Sequence, residues 1–414
     1  MRKILFIIFD GLGDRPSEKL SGMTPLQYAK KPFLDELASE ASLGLLSPLP
    51  KDIYPTSEES HLALFGYHYQ KDYPGRGVLE ALGAGIGLKE GQIAFRANFG
   101  TVDEDLKLVD PRAGLITNTR ALASACQGIE IESIKFRLYP ILAHRAVLIL
   151  EGDPVKEYLR LTRKSVITDT DPHKAGPRKL GVRVLKPTDL KKTKPGQIIS
   201  QALEQYQVKT FEILQKHSVN KKRVRRGLLP ANFILTRGGG NIVKVPSFKA
   251  KYGLSSCCIA GAPLYKGIAR YLGMENIFAK GATGTLNTNI KSKVKTALGS
   301  LEKFDFVFLH FKGTDIAAED YGDPKMKANF ISKIDRELGS LRGAKEAIIV
   351  VTGDHTTVCE LKDHAIDPVP LLIRGGRADL IKTFDERSCR RGRLGVLSGA
   401  DLMPYLLKLR NQNV

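Results

Sequence analysis

The chain has 414 residues, 42% hydrophobic and 26% charged, the composition of a globular protein with room for two or three domains. No apolar run approaches the roughly 20 residues that a membrane helix needs, so neither a spanning helix nor a membrane partner is expected. The formal net charge is +20, and residues 151–250 carry 22 Lys+Arg against 8 Asp+Glu; a region this basic suits nucleic acid, a small multiply charged anion, or solubility alone.

Residues 2–10 read as a first strand, an apolar run that ends on Asp10. Its cationic start mimics a secretory leader, but Asp10 and Gly11 interrupt the run and no small-residue cleavage site follows closely. Thr24-Pro25-Leu26 opens a helix carrying Phe33, Leu34, Leu37 and Ala38, with proline where the first turn tolerates it. Thr56 and Glu59 have the spacing of a capping box, which puts Ser57 at the first helical position. A phosphoryl group on that hydroxyl would meet free backbone N–H groups and the positive end of the helix dipole. Residues 74–88 include Gly83, Gly85 and Gly87, fit neither phosphate-loop nor dinucleotide spacing, and read as a hinge and domain boundary.

Strands are expected at 93–102, 134–138 and 146–150, with Arg112 and the pair His144-Arg145 in the segments between them. Residues 168–173 read as a loop that includes His173, and residues 196–216 as a helix. The run Lys221-Lys222-Arg223-Val224-Arg225-Arg226 has no interleaved aromatic, so it makes no stacking platform for single strands and reads first as a solvated segment. Arg237 stands at a strand end before Gly238-Gly239-Gly240, either as an anion anchor or as a surface arginine in a flexible turn.

From about residue 249 strands and helices alternate again, with strands at 255–259, 276–279, 305–311, 347–351 and 371–373. Asp354-His355 follow one apolar run, Asp315 follows another, and His364 comes nine residues after His355. Open α/β sheets place their sites at the carboxyl ends of strands, where an Asp and a His can share one divalent metal. A lone strand-end Asp is as readily a turn or helix cap. Asp10, Asp315, Asp354, His355 and His364 together point instead to one two-metal site assembled from distant strand ends. Glu319, four residues after Asp315, shares its helix face. Five cysteines, an odd number without zinc-finger spacing, fit a reduced, cytoplasmic protein.

Several stretches resemble, in order, the archaeal-type cofactor-independent phosphoglycerate mutases of the alkaline phosphatase superfamily. They are Phe9-Asp10-Gly11-Leu12-Gly13-Asp14, the Ser57 region through Leu64-Phe65-Gly66-Tyr67, Gly75-Arg76-Gly77 and Asp110-Pro111-Arg112-Ala113-Gly114. Thr170-Asp171-Pro172-His173, Pro230-Ala231-Asn232 before Arg237-Gly238, Gly281-Ala282-Thr283-Gly284, Asp354-His355, and His364 before Asp367-Pro368-Val369-Pro370 continue the match over nearly the whole chain. The resemblance implies an α/β fold. Residues 1–73 and 249–414 would form an alkaline-phosphatase-like, doubly wound metal-binding domain, and residues 74–248 an inserted smaller α+β substrate domain.

It further implies that Asp10, Ser57, Asp354 and His355 surround one divalent metal, and that Asp315, the residue four further on and His364 hold the other. That residue is Glu319 where the family pattern has His, and Thr56-Ser57-Glu58 stands where Gly-Ser-Asp is usual. A carboxylate favours harder ions, so Mn²⁺ or Mg²⁺ is expected ahead of Zn²⁺ or Co²⁺. The implied reaction is the glycolytic, 2,3-bisphosphoglycerate-independent interconversion of 2- and 3-phosphoglycerate, with Ser57 as nucleophile and a phosphoserine intermediate. The small phosphorylated anion would lie in the cleft between the domains, held by Arg237, Arg112 and Arg145, with His144 and His173 as acid–base candidates. Two rivals stand beside this reading. One is a diverged metal-dependent phosphatase or phosphotransferase, and the other is a nucleic-acid-binding protein with a relic site.

Overall fold

The structure, a computed structural model, describes residues 2–172 and 180–412. The chain divides into two compact units, residues 1–73 with 244–414, and residues 74–243. Among the described residues no helix is long and apolar enough to cross a membrane.

The first unit is built on an eight-stranded sheet. Its order is Glu275–Asn276, Ser256–Ile259, Phe306–Phe311, Ile4–Phe9, Ile348–Thr352, Val369–Arg374, Ala41–Ser47 and Val396–Ser398. The first five strands are mutually parallel. Val369–Arg374 runs antiparallel to both its neighbours, so the doubly wound parallel sheet closes on a mixed edge. Ile4–Phe9 is buried along its whole length, as a parallel strand covered on both faces must be. Leu5, Ile7 and Phe9 join Leu34, Leu37, Phe330 and Ile334 in one core, whereas Phe6 packs on Phe65 and Phe306. The neighbouring strands Phe306–Phe311, Ile4–Phe9 and Ile348–Thr352 all end at one edge, which carries Lys312, Asp10 and Asp354 out of the sheet together.

The second unit is an α+β layer with an antiparallel sheet, ordered Leu108–Asp110, Gln92–Val102, Arg145–Gly152, Ile134–Leu142 and Ile129–Ile131; Phe233–Gly240 also pairs with Gln92–Val102. Alternation along Gln92–Val102 divides the faces. Ile93, Phe95, Ala97 and Phe99 pack with Tyr158, Leu203 and Tyr206 of the helices Asp153–Thr162 and Lys194–Lys216. Ala94, Val147 and Ile149 pack with Val78 and Ala81 of the helix Arg76–Gly83.

Three sequence expectations change. The helix opened by Pro25 is two pieces, Pro25–Tyr28 and Pro32–Ser39, because Pro32 has no N–H to carry the first piece onward and serves as the first residue of the second. Residues 74–88 are not a plain hinge but contain the helix Arg76–Gly83. Gly238-Gly239-Gly240 is not a flexible turn after Arg237; it belongs to the strand Phe233–Gly240. These glycines let the chain before the helix Arg76–Gly83 press against the strand, since a Cβ on Gly240 would lie 1.9 Å from the carbonyl oxygen of Pro74.

One buried cation ties the strand-end loops of the first unit. Lys327, in the helix Pro324–Leu338, is fully buried. Its Nζ donates to the carbonyls of Gly13 and Thr357, both at 2.8 Å, and to Asp14 Oδ2 at 2.9 Å. All three ammonium protons are thereby used. Lys327→Met would leave a buried carboxylate and two carbonyls without a donor. We expect it to lose about 3–5 kcal/mol of unfolding free energy in denaturant titration, against less than about 0.5 kcal/mol for Lys345→Met on the surface.

Candidate functional site

His355 is the hub of the strand-end cluster. Its Nε2 lies 3.4 Å from Asp10 Oδ1, 3.4 Å from Asp354 Oδ2 and 3.2 Å from Ser57 Oγ. All four residues are buried. The tautomer follows from Thr357. That hydroxyl gives its one proton to Asp315 Oδ1 at 2.9 Å and therefore accepts from His355 Nδ1, 3.0 Å away. In the neutral ring this leaves the Nε2 lone pair facing Asp10, Asp354 and Ser57, as a metal-ligating imidazole requires.

Ser57 opens the helix Ser57–Leu64, capped by Thr56, whose side chain accepts from the Glu59 N–H. The capping box is incomplete in an informative way. Glu59 takes the Thr56 hydroxyl proton at 2.7 Å and does not reach back to the Thr56 backbone. His61, one turn on, donates from Nδ1 to the Ser57 carbonyl at 2.7 Å. Burial pushes its imidazole down to about 4, so it stays neutral. The Gly11 N–H donates to Asp354 Oδ1 at 3.0 Å. Gly11 has φ +62°, and a Cβ there would lie 2.3 Å from Thr357 Oγ1.

Two sets of potential ligands emerge, each with its atoms within 4.8 Å of one another: Asp10, Asp354 and His355, and Asp315, His355 and His364. A divalent cation fits them on two grounds. Asp10 Oδ1 and Asp354 Oδ2 are buried without a hydrogen-bond partner among the described residues, which is rare for carboxylate oxygens. Burial and the charge of Asp10 also push the Asp354 carboxyl up to about 7, the behaviour of a crowded pair of acids short of positive charge. His364 donates from Nδ1 to the Pro55 carbonyl at 2.8 Å, which leaves Nε2 facing Asp315 Oδ1 at 3.6 Å. Its ring stacks on His355 with centroids 3.7 Å apart. Burial would lower the His364 pKa, but the Asp315 carboxylate outweighs it and raises it to about 9.

Glu319, half-buried at the end of the helix Gly313–Glu319, belongs to neither set, although its negative field reaches His364 and Lys312.

The strand-end rule picked out acids and passed over the base next to them. Lys312 directly follows Phe306–Phe311, and its Nζ bridges Asp10 Oδ2 at 3.1 Å and Asp315 Oδ2 at 2.7 Å. Burial works against its charge, yet the two carboxylates raise its pKa well above the ordinary value. In return, burial raises the Asp10 carboxyl, but Lys312 and His310 hold it well below the usual range. The Tyr265 hydroxyl also donates to Asp10 Oδ2, and its ring stacks on His310 at 3.5 Å. No sequence signal marks Tyr265, which is 255 residues away from Asp10.

In the second unit the basic residues form an array on one sheet face. Strand register sets Arg96 opposite Arg237, and Asn98 opposite Arg145. Residues 96 and 98 share a face. Arg96 and Arg237 are buried; Arg112, His144 and Arg145 are half-buried. Burial, then Arg145, Arg96, Arg112 and Arg237, push the His144 imidazole down to about 3, so it is neutral and surrounded by guanidinium charge. The sequence reading singled out Arg237, Arg145, Arg112 and His144 but missed Arg76, Arg96 and Glu80. His173 lies outside the described residues.

Comparison with known proteins accords with this constellation. A family model described as the Metalloenzyme superfamily matches residues 2–409. The 2,3-bisphosphoglycerate-independent phosphoglycerate mutase of Methanoculleus marisnigri is 40% identical over 99% of this chain and 98% of its own length. That of Thermococcus kodakarensis is 39% identical over 100% and 98%. A solved structure of a Pyrococcus horikoshii protein superposes with TM-score 0.82 at 34% identity, covering 100% of this chain and 98% of the other. The cofactor-independent phosphoglycerate mutase of Thermoplasma acidophilum gives 0.67 at 32% identity, covering 99% and 100%. With the family model spanning nearly its full length and relatives this similar end to end, the chain belongs to the metalloenzyme superfamily and, within it, to the 2,3-bisphosphoglycerate-independent phosphoglycerate mutases.

Proposed function

We propose that this protein interconverts 2- and 3-phosphoglycerate without 2,3-bisphosphoglycerate, by way of a phosphoserine at Ser57. The observation that carries the reading is the position of the Ser57 hydroxyl. It sits at a helix start, 3.2 Å from Nε2 of His355, beside two carboxylates with orphaned oxygens. Asp10, Ser57, Asp354 and His355 would hold one divalent cation, and Asp315 and His364 a second, with Glu319, outside both ligand sets in this structure, as a candidate to complete it. The carboxylate-rich donors suit Mn²⁺ or Mg²⁺ over Zn²⁺ or Co²⁺. Bound there, such cations lower the pKa of the serine hydroxyl and offset charge on the transferring phosphoryl oxygens.

The chain's own groups do the rest. Ser57 Oγ gives up its proton and bonds to phosphorus as the ester bond to glycerate breaks, and the departing glycerate oxygen takes up a proton. Free N–H groups of the first helical turn face the phosphoryl oxygens. Lys312 balances Asp10 and Asp315. Glycerate stays bound on the arginines of the second unit and presents its other hydroxyl. That oxygen loses its proton and bonds to phosphorus as the phosphorus–Oγ bond of the phosphoserine breaks, and Ser57 regains its hydroxyl proton. His144, kept neutral, is a candidate to take up that proton. Phosphatase activity would require water to take the place of glycerate in the second half.

Ser57→Ala is expected to abolish both isomer formation and protein-bound phosphate while retaining phosphoglycerate binding in calorimetry. Near-normal turnover would remove Ser57 as nucleophile, and free phosphate in place of isomer from the wild type would favour the phosphatase reading.

Arg237→Ala should raise KM about tenfold or more, because a charge-assisted contact is worth about 1.5–3 kcal/mol. Neutralising Lys221, Lys222, Arg225 and Arg226 together should leave KM within about twofold, these being exposed side chains screened by salt. The reverse result would assign the basic region to a polymer.

Glu319 tests the second cation. Glu319→Ala should lower metal content by about one equivalent per chain and remove most activity, while Glu319→His should regain both with a changed metal preference. Full metal content and rate in Glu319→Ala would exclude it as a ligand.

A further inference from the structure

Asp10 and Asp354 each have one oxygen tied down and one left over. Asp354 Oδ1 accepts from the Gly11 N–H at 3.0 Å, and its Oδ2 has no partner among the described residues. In Asp10 the oxygens trade places. Oδ2 accepts from the Tyr265 hydroxyl and from Lys312 Nζ at 3.1 Å, and Oδ1 has no partner among the described residues. Both left-over oxygens lie 3.4 Å from His355 Nε2. What holds one oxygen of each carboxylate therefore decides which oxygen faces the imidazole.

We propose that Tyr265 is a positioning residue that occupies Asp10 Oδ2 and so turns Asp10 Oδ1 toward the divalent cation. The proposal rests on the reading that Asp10, Ser57, Asp354 and His355 hold such a cation.

The topology brings Tyr265 to this place. The strand Ser256–Ile259 runs parallel to Phe306–Phe311, with Ile259 opposite Leu309, so both end at the edge that carries Asp10. The helix Pro263–Tyr271 follows shortly and holds Tyr265 in its first turn. Three neighbours fix the ring. It stacks on His310 with centroids 3.5 Å apart, lies 5.1 Å from the ring of His61, and has Lys312 Nζ over it at 5.7 Å. Tyr265, His310 and His61 are all buried. A ring packed this closely keeps its hydroxyl in one place.

The chemistry of the two donors divides the work. A carboxylate only accepts, so the phenol proton points at Oδ2, and with the ammonium of Lys312 it fills both lone pairs of that oxygen. Lys312 is shared, since its Nζ also donates to Asp315 Oδ2 at 2.7 Å, and a point charge attracts either oxygen of Asp10. The phenol is a directional donor without charge. It orients the carboxylate and leaves in place the deficit of positive charge that draws a cation.

The test is Tyr265→Phe, which removes one oxygen and keeps the ring that stacks on His310. The probe is Mn²⁺, titrated by calorimetry into full-length protein stripped of metal. One binding step should weaken about tenfold or more, the usual cost of losing a group that orients a ligand. The other step should stay within about twofold, as an independent site does. In an Asp10→Ala background, where no carboxylate remains to be turned, adding Tyr265→Phe should likewise change Mn²⁺ binding by less than about twofold. Equal weakening of both steps, or a further loss in the Asp10→Ala background, would make Tyr265 a packing residue and overturn the proposal. Should Tyr265→Phe fail to fold, wild type supplies the second measurement. The chain has no tryptophan, so its tyrosine absorbance is unmasked. Adding Mg²⁺ should give a tyrosine difference band that Asp10→Ala reduces, and a band of the same size in Asp10→Ala would also overturn the proposal. If Asp10→Ala binds Mn²⁺ as wild type does, the cation reading at Asp10 falls. If Asp10→Ala loses a step and Tyr265→Phe binds as wild type does, only the Tyr265 proposal falls.

Discussion

Three buried carboxylates, those of Asp10, Asp315 and Asp354, converge on one edge of the first unit's sheet, and the rest of that unit is arranged around the repulsion they create. Two like charges about 4 Å apart repel by about 4 kcal/mol at an effective dielectric near 20. The protein supplies two positive charges against three negative ones. Lys312 bridges Asp10 and Asp315, and Asp315 holds a proton on His364. The shortfall shows at Asp354, whose carboxyl rises to about 7, and in the orphaned oxygens of Asp10 and Asp354. A site short of positive charge, with the His355 imidazole at its centre, has electrostatics that favour a bound cation.

The fold tolerates this because rigid elements hold each ligand. Asp10 and Asp354 leave strands paired in exact register, Ile4–Phe9 with Ile348–Thr352. Thr357 sets the His355 tautomer through Asp315, and Lys327 ties the loop at Gly13 to the carbonyl of Thr357. These partners lie just behind the atoms of the two candidate ligand sets and fix their orientation.

Asp10, Asp315, Asp354 and His355 were legible because each follows a continuous apolar run, and a parallel strand buried on both faces leaves that mark locally. Lys312 stood in the same place and went unmarked; its role depends on two carboxylates that only the folded sheet brings within reach. Tyr265 and His310 owe their places to packing between elements far apart in sequence, which no periodicity records. The glycines after Arg237 were misread for a related reason. Gly238-Gly239-Gly240 looks like a turn in one dimension, whereas the space it leaves is taken by Arg76, the Phe95 ring, and Pro74 with Gly75 in turn. The basic balance of the second unit was visible as composition, but strand register, which sets Arg96 beside Arg237, was not.

The same logic of charge frames the departure at Glu319. A histidine four residues after Asp315 would add a neutral donor to a set that already holds one carboxylate and two imidazoles. A glutamate adds a negative charge, and its field joins that of Asp315 in raising His364. The effect is to strengthen the hold on a proton when no cation is present and the attraction for a cation when one is. A harder, oxygen-preferring ion gains most from that exchange, since its binding is chiefly electrostatic, whereas a softer ion loses a nitrogen ligand it prefers. On the proposed reading, a glutamate at position 319 would shift the site's preference among divalent ions without altering the cluster of Asp10, Asp354 and His355 beside Ser57.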